Sequence, residues 1–268
     1  MAIKIILSDI DGTFLTDDKR VTGLHARAAK NILAKGLKFV LVSARMPEAI
    51  YPITDGIGLP RIPVISYSGA LVLTESEEIL YDKKMPLLDT EKILAEMAAR
   101  WSDISVNYYT GRKWYVRAID KRVQREIDIT SARAEIADFS ELIRAGILPN
   151  KILVMCEPPI CEEMERELQT FEKLNVVRSA PHLLEIMDKS VSKATGIDIL
   201  LKHYDLTADE AVAFGDNYND IEMLQYIPRS VAMKNAPARI KEIAAAVTDS
   251  NEDSGIYTYL VKIGVITP

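Results

Sequence analysis

The stretch Lys4-Ile5-Ile6-Leu7-Ser8-Asp9-Ile10-Asp11-Gly12-Thr13-Phe14-Leu15 sets the reading of the whole chain. Ile5, Ile6 and Leu7, with Ile3 just before them, form the short bulky apolar run expected of a central strand buried on both faces. Polar residues follow at once. In an extended segment side chains two apart leave on the same side, so Asp9 and Asp11 are expected to point together, and Gly12 lets the backbone fold over them. Two carboxylates that close repel each other unless a cation neutralises them or one keeps a proton.

Three readings compete for this turn. A calcium loop of the D-x-D-x-D-G type needs its glycine two residues later and a ligand glutamate that does not arrive, so it fails. A solvated acidic turn suits an isolated D-x-D pair. It loses ground because the pair stands at the mouth of an apolar strand, where open α/β sheets place their ligands. The third reading is a metal-assisted nucleophile: one carboxylate attacks phosphorus, its neighbour handles the proton, and a divalent cation holds both.

Composition bounds the rest. The 268 residues allow one or two domains, and 48% hydrophobic content supplies a substantial core. Net charge is −6 with lysine and arginine scattered, so no nucleic-acid partner is expected. No apolar run reaches membrane-spanning length and no signal peptide is recognisable, which gives the expectation of a soluble, cytoplasmic protein. Cys156 and Cys161 flank Pro158-Pro159 and, with three scattered histidines, make no zinc site.

Outward from the opening stretch, Thr22 is a candidate N-cap for a helix that Gly36 stops, and Leu37 to Val42 is a second buried strand ending in Ser43-Ala44-Arg45. Pro47 suits the first turn of the next helix, and Pro63 to Tyr67 is a third strand. Strand, helix, strand, helix, strand predicts a parallel sheet with right-handed crossovers. After Ala70 the texture turns antiparallel. It has a helix near Thr90 to Arg100, a hairpin of Ser105 to Tyr109 and Lys113 to Arg117, and a helix from Asp120 to Ile129. A strand at Lys151 to Cys156, a helix from Cys161 to Leu174 and strands at Val176 to Ser179 and Leu183 to Met187 complete it. Lys193 to His203 then reads as helix, Ala211 to Phe214 as a buried strand, and Gly215 to Asp220 as a second acidic turn. The expected fold is α/β: a doubly wound, Rossmann-like parallel-sheet core of residues 1–83 and 186–268, with an inserted α+β domain of residues 84–185.

Asp9 with Asp11, Ser43, Lys193, and Asp216 with Asp220 all fall at predicted strand ends or helix starts, which converge on one crevice in such a sheet. Phosphoryl transfer needs positioning and charge neutralisation by a metal, a cation and oriented donors. Carboxylates suit a hard Mg²⁺, Lys193 offsets charge, and the Ser43 hydroxyl with nearby N–H groups can donate to phosphate.

In order and spacing, Asp9-Ile10-Asp11-Gly12-Thr13, Ser43-Ala44-Arg45, Lys193 and Gly215-Asp216-x-x-Asn219-Asp220 resemble the four motifs of the haloacid dehalogenase superfamily of phosphohydrolases. Val231 to Ala236 and Asn251-Glu252-Asp253-Ser254-Gly255 resemble later signatures of its Cof-type (IIB) branch, which includes bacterial sugar-phosphate phosphatases. The resemblance implies an Mg²⁺-dependent phosphatase of small phosphorylated metabolites, with Asp9 as nucleophile and Asp11 as acid and base. It further implies Mg²⁺ held by the Asp9 carboxylate, the Asp11 carbonyl and Asp216 with Asp220 in support. The implied phosphate grip comprises the Ile10 and Ala44 amides, Ser43, Lys193 and Asn219. Ser43-Ala44 departs from the branch's usual Thr-Gly, Ala194 from a common Gly, and Ser68 from a frequent Asn.

Residues 84–185 are then the cap that selects substrate, with Tyr109, Arg112, Lys151 and, from the core, Arg45 as candidate substrate contacts. Packing of a hairpin face is the competing role for Tyr108, Tyr109, Trp114 and Tyr115, and a surface or hinge salt bridge for Arg45 and Lys151. His25, His182 and His203 are assigned ordinary structural roles. A phosphomutase, or a non-catalytic sensor of phosphorylated metabolites, is the alternative on the same scaffold; a signalling receiver would be about half as long, without the insertion.

Overall fold

The computed structural model describes residues 2–268. β1 is Ile5–Ser8, buried at every position. Thr22 accepts from the His25 N–H and caps α1 (Gly23–Ala34), which leads to β2 (Lys38–Val42). α2 (Pro47–Gly56) begins on proline, whose fixed φ suits a first helical turn. β3 (Val64–Ser66), β4 (Leu71–Leu73) and β5 (Ile79–Asp82) follow.

Next come α3 (Leu87–Arg100), β6 (Ser105–Thr110), β7 (Lys113–Val116), α4 (Lys121–Thr130), β8 (Ala134–Ile136), α5 (Phe139–Arg144), β9 (Lys151–Met155), α6 (Pro158–Leu168), β10 (Leu174–Ala180) and β11 (Leu183–Asp188). The last elements are α7 (Lys193–His203), β12 (Ala211–Gly215), α8 (Ile221–Tyr226), β13 (Ser230–Ala232), α9 (Ala238–Ile243), β14 (Ala246–Val247) and α10 (Gly255–Lys262).

Two compact units result, one of residues up to 45, 50–81 and 192–268, the other of residues 46–49 and 82–191. In the first, an eight-stranded sheet runs β14-β13-β12-β1-β2-β3-β4-β5. Its strands are parallel from β14 through β3, and β4 turns back antiparallel on β3. β1 sits between β2 and β12 with no polar face, which is why its sequence is apolar without alternation. Ile5, Leu7, Val40, Val42, Ile65, Ile197, Leu200 and Ala213 pack one side of this core.

The second unit is a six-stranded, largely antiparallel sheet in the order β10-β11-β9-β6-β7-β8. Ile93, Met97, Tyr108, Phe139, Ile152, Leu168, Leu184 and Ile186 bury one face of it beneath helices. The α/β core with an inserted α+β sheet is the fold that the sequence led one to expect.

Two local expectations need correction. The helix expected over Cys161 to Leu174 is α6, which starts three residues earlier because Pro158 and Pro159 fit its first turn. It ends at Leu168, and Leu174 opens β10 instead. β8 and α5 were not expected at all. Three and six residues are too short to show a period, although Asp138, accepting from the Ser140 N–H, is a recognisable cap for α5.

Candidate active site

Asp9 lies one residue beyond β1, and its N–H donates to the Phe214 carbonyl at 3.0 Å, carrying the β1–β12 ladder one step further. That register sets Asp9 beside the acidic turn after β12. Lys193 is the first residue of α7, whose cap Ser192 accepts from the Thr195 N–H at 3.1 Å. Its Nζ donates to Asp9 Oδ1 at 2.5 Å and to Asp220 Oδ1 at 2.6 Å, with the lysine side chain fully buried. Asp220 Oδ2 accepts the Asp216 and Asn217 N–H groups, both at 2.9 Å. Asp216 Oδ1 accepts from the Thr13 hydroxyl at 2.7 Å.

Two glycines are required by this geometry. Gly12 has φ +84°, and a Cβ there would overlap the Asp216 carboxylate. Gly69 has φ +108°, and a Cβ there would overlap the carbonyl of Ser192, the residue that starts the lysine helix.

Ligand atoms of Asp9, Asp216 and Asp220 lie within 4.8 Å of one another. Three carboxylates against one buried ammonium leave the cluster short of positive charge. The shortage shows in its protonation. Burial, with Asp220 and Asp216 adding like charge, pushes the Asp9 carboxyl up against the opposing pull of Lys193. Burial likewise pushes Asp216 up to about 6. Lys193 is held above its ordinary value by Asp220 and Asp9 in spite of its burial. A divalent cation fits this deficit and this all-oxygen donor set. Both Asp220 oxygens are already engaged by Lys193 and by backbone N–H groups, so Asp9 and Asp216 carry the more available ligand oxygens.

Asp11 departs from expectation. Its carboxylate does not join Asp9 in the acidic cluster. Arg45 donates to it from Nε at 2.8 Å and Nη2 at 2.7 Å, and Lys19 Nζ adds a third contact at 2.8 Å. Although burial opposes it, these bonds bring Asp11 down to about 2. Neighbouring carboxylates thus engage different cations: Asp9 takes Lys193, Asp11 takes Arg45 and Lys19. Arg45 is thus engaged in a salt bridge, as the salt-bridge alternative held, with its carboxylate partner only partly buried. Lys19 was missed by the sequence reading; it sits at φ 63° in the turn closed by the Lys19 N–H to Thr16 carbonyl bond.

Ser43 is buried, its hydroxyl accepting from the Arg45 N–H at 3.2 Å and its own N–H donating to the Ile65 carbonyl at 2.8 Å. Ala44 follows it, Ile10 is buried between the two aspartates, and Asn219 is exposed in the 218–220 turn.

In the second unit, Lys151 is buried, 3.6 Å from the Glu185 carboxylate and over the Tyr109 ring at 5.3 Å. Tyr109 stacks on Trp114 with ring centres 5.5 Å apart, and Tyr108 donates to the Ile147 carbonyl and packs on Phe139. Tyr108 and Tyr115 thus pack into the core beneath the helices, as the packing alternative held for them, whereas Tyr109 and Trp114 lie on the opposite face of the sheet with Lys151. Arg112, in the β6–β7 turn, donates to the Glu48 carboxylate.

A parallel sheet presenting aspartates at its strand ends beside a buried lysine at a helix start, interrupted by an inserted α+β sheet, defines a Rossmann-like α/β enzyme scaffold. The chain belongs to the haloacid dehalogenase-like hydrolases, whose family pattern it matches over residues 6–260. A Haemophilus influenzae protein named "Putative phosphatase" is 32% identical over 261 residues, covering 96% of each chain, and a like-named Streptococcus pyogenes protein is 30% identical with the same coverage. Among solved structures, a haloacid dehalogenase-like hydrolase from Bacteroides thetaiotaomicron is 26% identical with a TM-score of 0.87, covering 97% of this chain and 99% of that one. A subclass IIB sugar phosphatase has the same fold at 23% identity and a TM-score of 0.84, covering 98% of this chain and 100% of that one. Among the described residues no helix is long and apolar enough to cross a membrane.

Proposed function

We propose that the protein is a Mg²⁺-dependent phosphatase that hydrolyses small phosphorylated metabolites, sugar phosphates first among them, through an aspartyl-phosphate. The observation that carries this reading is the buried Lys193 bridging Asp9 and Asp220 beside Asp216. A carboxylate held by an ammonium at a strand end, next to an oxygen-rich cation site, is oriented to attack phosphorus rather than to titrate in water. The sugar-phosphate preference draws on the sugar phosphatase of the same fold.

In this mechanism an Asp9 carboxylate oxygen attacks phosphorus, forming an O–P bond as the bond to the leaving oxygen breaks. Asp11 gives its proton to that oxygen. Water then attacks the aspartyl-phosphate, loses a proton to Asp11, and releases inorganic phosphate with Asp9 regenerated. Lys193, Ser43, Asn219 and the Ile10 and Ala44 amides hold phosphate oxygens. Asp9, the Asp11 carbonyl and Asp216 would hold Mg²⁺, with Asp220 supporting them through Lys193 and the turn; bound there it supplies charge neutralisation for nucleophile and phosphate.

The Asp11 carboxylate, ionised beside Arg45 and Lys19, is in the form that accepts a proton from water. To act first as an acid it has to pick up a proton and loosen from that fork. Residues 84–185 serve as the cap, with Tyr109, Arg112 and Lys151 meeting parts of the substrate remote from phosphorus.

Phosphate release across a panel of sugar phosphates, nucleotides and cofactor phosphates, with and without Mg²⁺, tests the proposal. Metal-dependent release strongest on sugar phosphates supports it. Transfer of the phosphoryl group to a second hydroxyl instead of to water would identify a phosphomutase, and no turnover of any ester would favour a sensor.

A further inference from the structure

The catalytic reading leaves Lys234-Asn235-Ala236 and Asn251-Glu252-Asp253-Ser254-Gly255 without a task, yet both segments bind the aspartate loop. Asn235 Nδ2 donates to the Gly12 carbonyl at 2.8 Å, and Asn235 Oδ1 accepts the Asn251 N–H at 3.1 Å. Asn251 is 1% exposed, and its Nδ2 donates to the Leu15 carbonyl at 3.0 Å and to Asp17 Oδ1 at 3.1 Å. The Glu252 carboxylate accepts the Asp17 N–H at 2.7 Å.

These bonds grip the loop within its tightest turn, where the Ile10 carbonyl accepts the Phe14 and Leu15 N–H groups at 3.0 and 2.8 Å, and just after it. A buried asparagine needs partners for its amide, and Asn251 spends both donor contacts on a segment more than 230 residues away in sequence. The two asparagines are joined in series, so the C-terminal segment, Asn235 and the Gly12 carbonyl form one connected brace. Gly12 is the residue that must stay clear of Asp216 and that directly follows Asp11.

We propose that Asn235 and Asn251 are positioning residues that brace the Asp9–Gly12 loop and thereby fix the approach of the Asp9 carboxylate to phosphorus. They act through the loop, by bonds to Gly12, Leu15 and Asp17. The proposal rests on the phosphatase reading, and it predicts a loss in turnover rather than in substrate binding, because a misaimed nucleophile leaves the phosphate grip of Lys193 and Ser43 in place. Misplacement of about 1 Å costs on the order of a hundredfold in rate.

Asn251→Ala empties a buried site and risks the fold, so the exposed Asn235 carries the test. Asn235→Ala removes both bonds, whereas Asn235→Asp keeps an acceptor for the Asn251 N–H and loses the donor to Gly12. For both variants, kcat and KM with nitrophenyl phosphate, thermal stability, and hydrogen exchange of the 10–17 amides are measured. The expected result is a fall in kcat of about tenfold or more with KM within about twofold, and faster exchange in residues 10–17, in a folded protein. Unchanged kcat, unchanged exchange, or a loss confined to KM would overturn the proposal. If the wild type releases phosphate from no ester, the phosphatase reading fails by itself. Exchange then decides the brace alone: faster exchange in the variants keeps it, and equal exchange removes it.

Discussion

Arg45 and Asp11 form a two-point ion pair, Nε to Oδ2 at 2.8 Å and Nη2 to Oδ1 at 2.7 Å. A planar guanidinium fork matched to a carboxylate favours the ionised form. Replacing it raises the pH at which Asp11 holds a proton. In Arg45→Ala the limb of the kcat/KM profile that requires protonated Asp11, the one that falls as pH rises, is expected to move to higher pH. A profile superimposable on wild type would detach Asp11 from the acid role.

Asp9→Asn keeps the shape of the side chain and removes the proposed nucleophile. Phosphate release is expected to fall by at least about a thousandfold, with the far-UV spectrum and melting temperature retained, since one negative charge leaves a cluster that has too many. Wild-type rates in a folded Asp9→Asn protein would rule out the aspartyl-phosphate.

Metal affinity is expected to depend on pH. Burial pushes the Asp216 carboxyl up to about 6, so at acid pH a cation must displace a proton there. Calorimetric Mg²⁺ titrations should show apparent affinity rising with pH through this region, with proton release on the acid side, and Asp9, also pushed up by burial, extends the rise. Affinity independent of pH between 5 and 7.5 would place the ion elsewhere.

His25 predicts acid sensitivity of the fold. It is fully buried, with Nδ1 2.9 Å from the Phe14 carbonyl and Nε2 3.4 Å from the Ile256 N–H it accepts, which fixes the neutral form. Burial pulls its pKa down from 6.5 to about 4. Between those values the unfolded chain binds a proton that the folded one refuses. Stability from this group is therefore complete above about 6.5, declines as pH falls, and flattens below about 4. The total is at most about 3 kcal/mol. Urea unfolding of wild type and His25→Gln across that window checks it: the variant should show the smaller slope with pH.

Gly69→Ala tests the packing under Lys193. With φ +108° and the Ser192 carbonyl in the way, the substitution is expected to cost about 2–4 kcal/mol and to displace the start of α7. Urea unfolding measures the cost. A neutral effect would mean that the lysine helix is held by something other than this contact.

Much of this was legible in the chain because the site's backbone positions are dictated by local rules. Apolar strands leading into Asp9 and Ser43, and a helix that starts at Lys193, can be placed from pattern alone. What escaped was the choice of partner. Arg45 and Lys19 meet Asp11 only because the Thr16–Arg20 turn and the Ser43–Arg45 loop are folded toward the same carboxylate, and no spacing records that. The separation of Asp9 from Asp11 was hidden for a similar reason. The segment is not extended beyond Ser8, so the rule that side chains two apart share a side does not apply there. β8 and α5 fell below the length at which periodicity is visible.

The register of β1 against β12 also bears on the order of synthesis. Ile5 to Ser8 pair with Ala211 to Phe214, so the first strand made waits about two hundred residues for one of its neighbours. Lys193, Asp216 and Asp220 emerge from the ribosome later still than the inserted sheet. Until then Asp9 has neither its ammonium nor the carboxylates that stand beside it in the finished fold. Contacts so distant in sequence also slow the closing of the core. The same wiring assembles the candidate site from both ends of the chain, so it is not complete until translation is nearly finished.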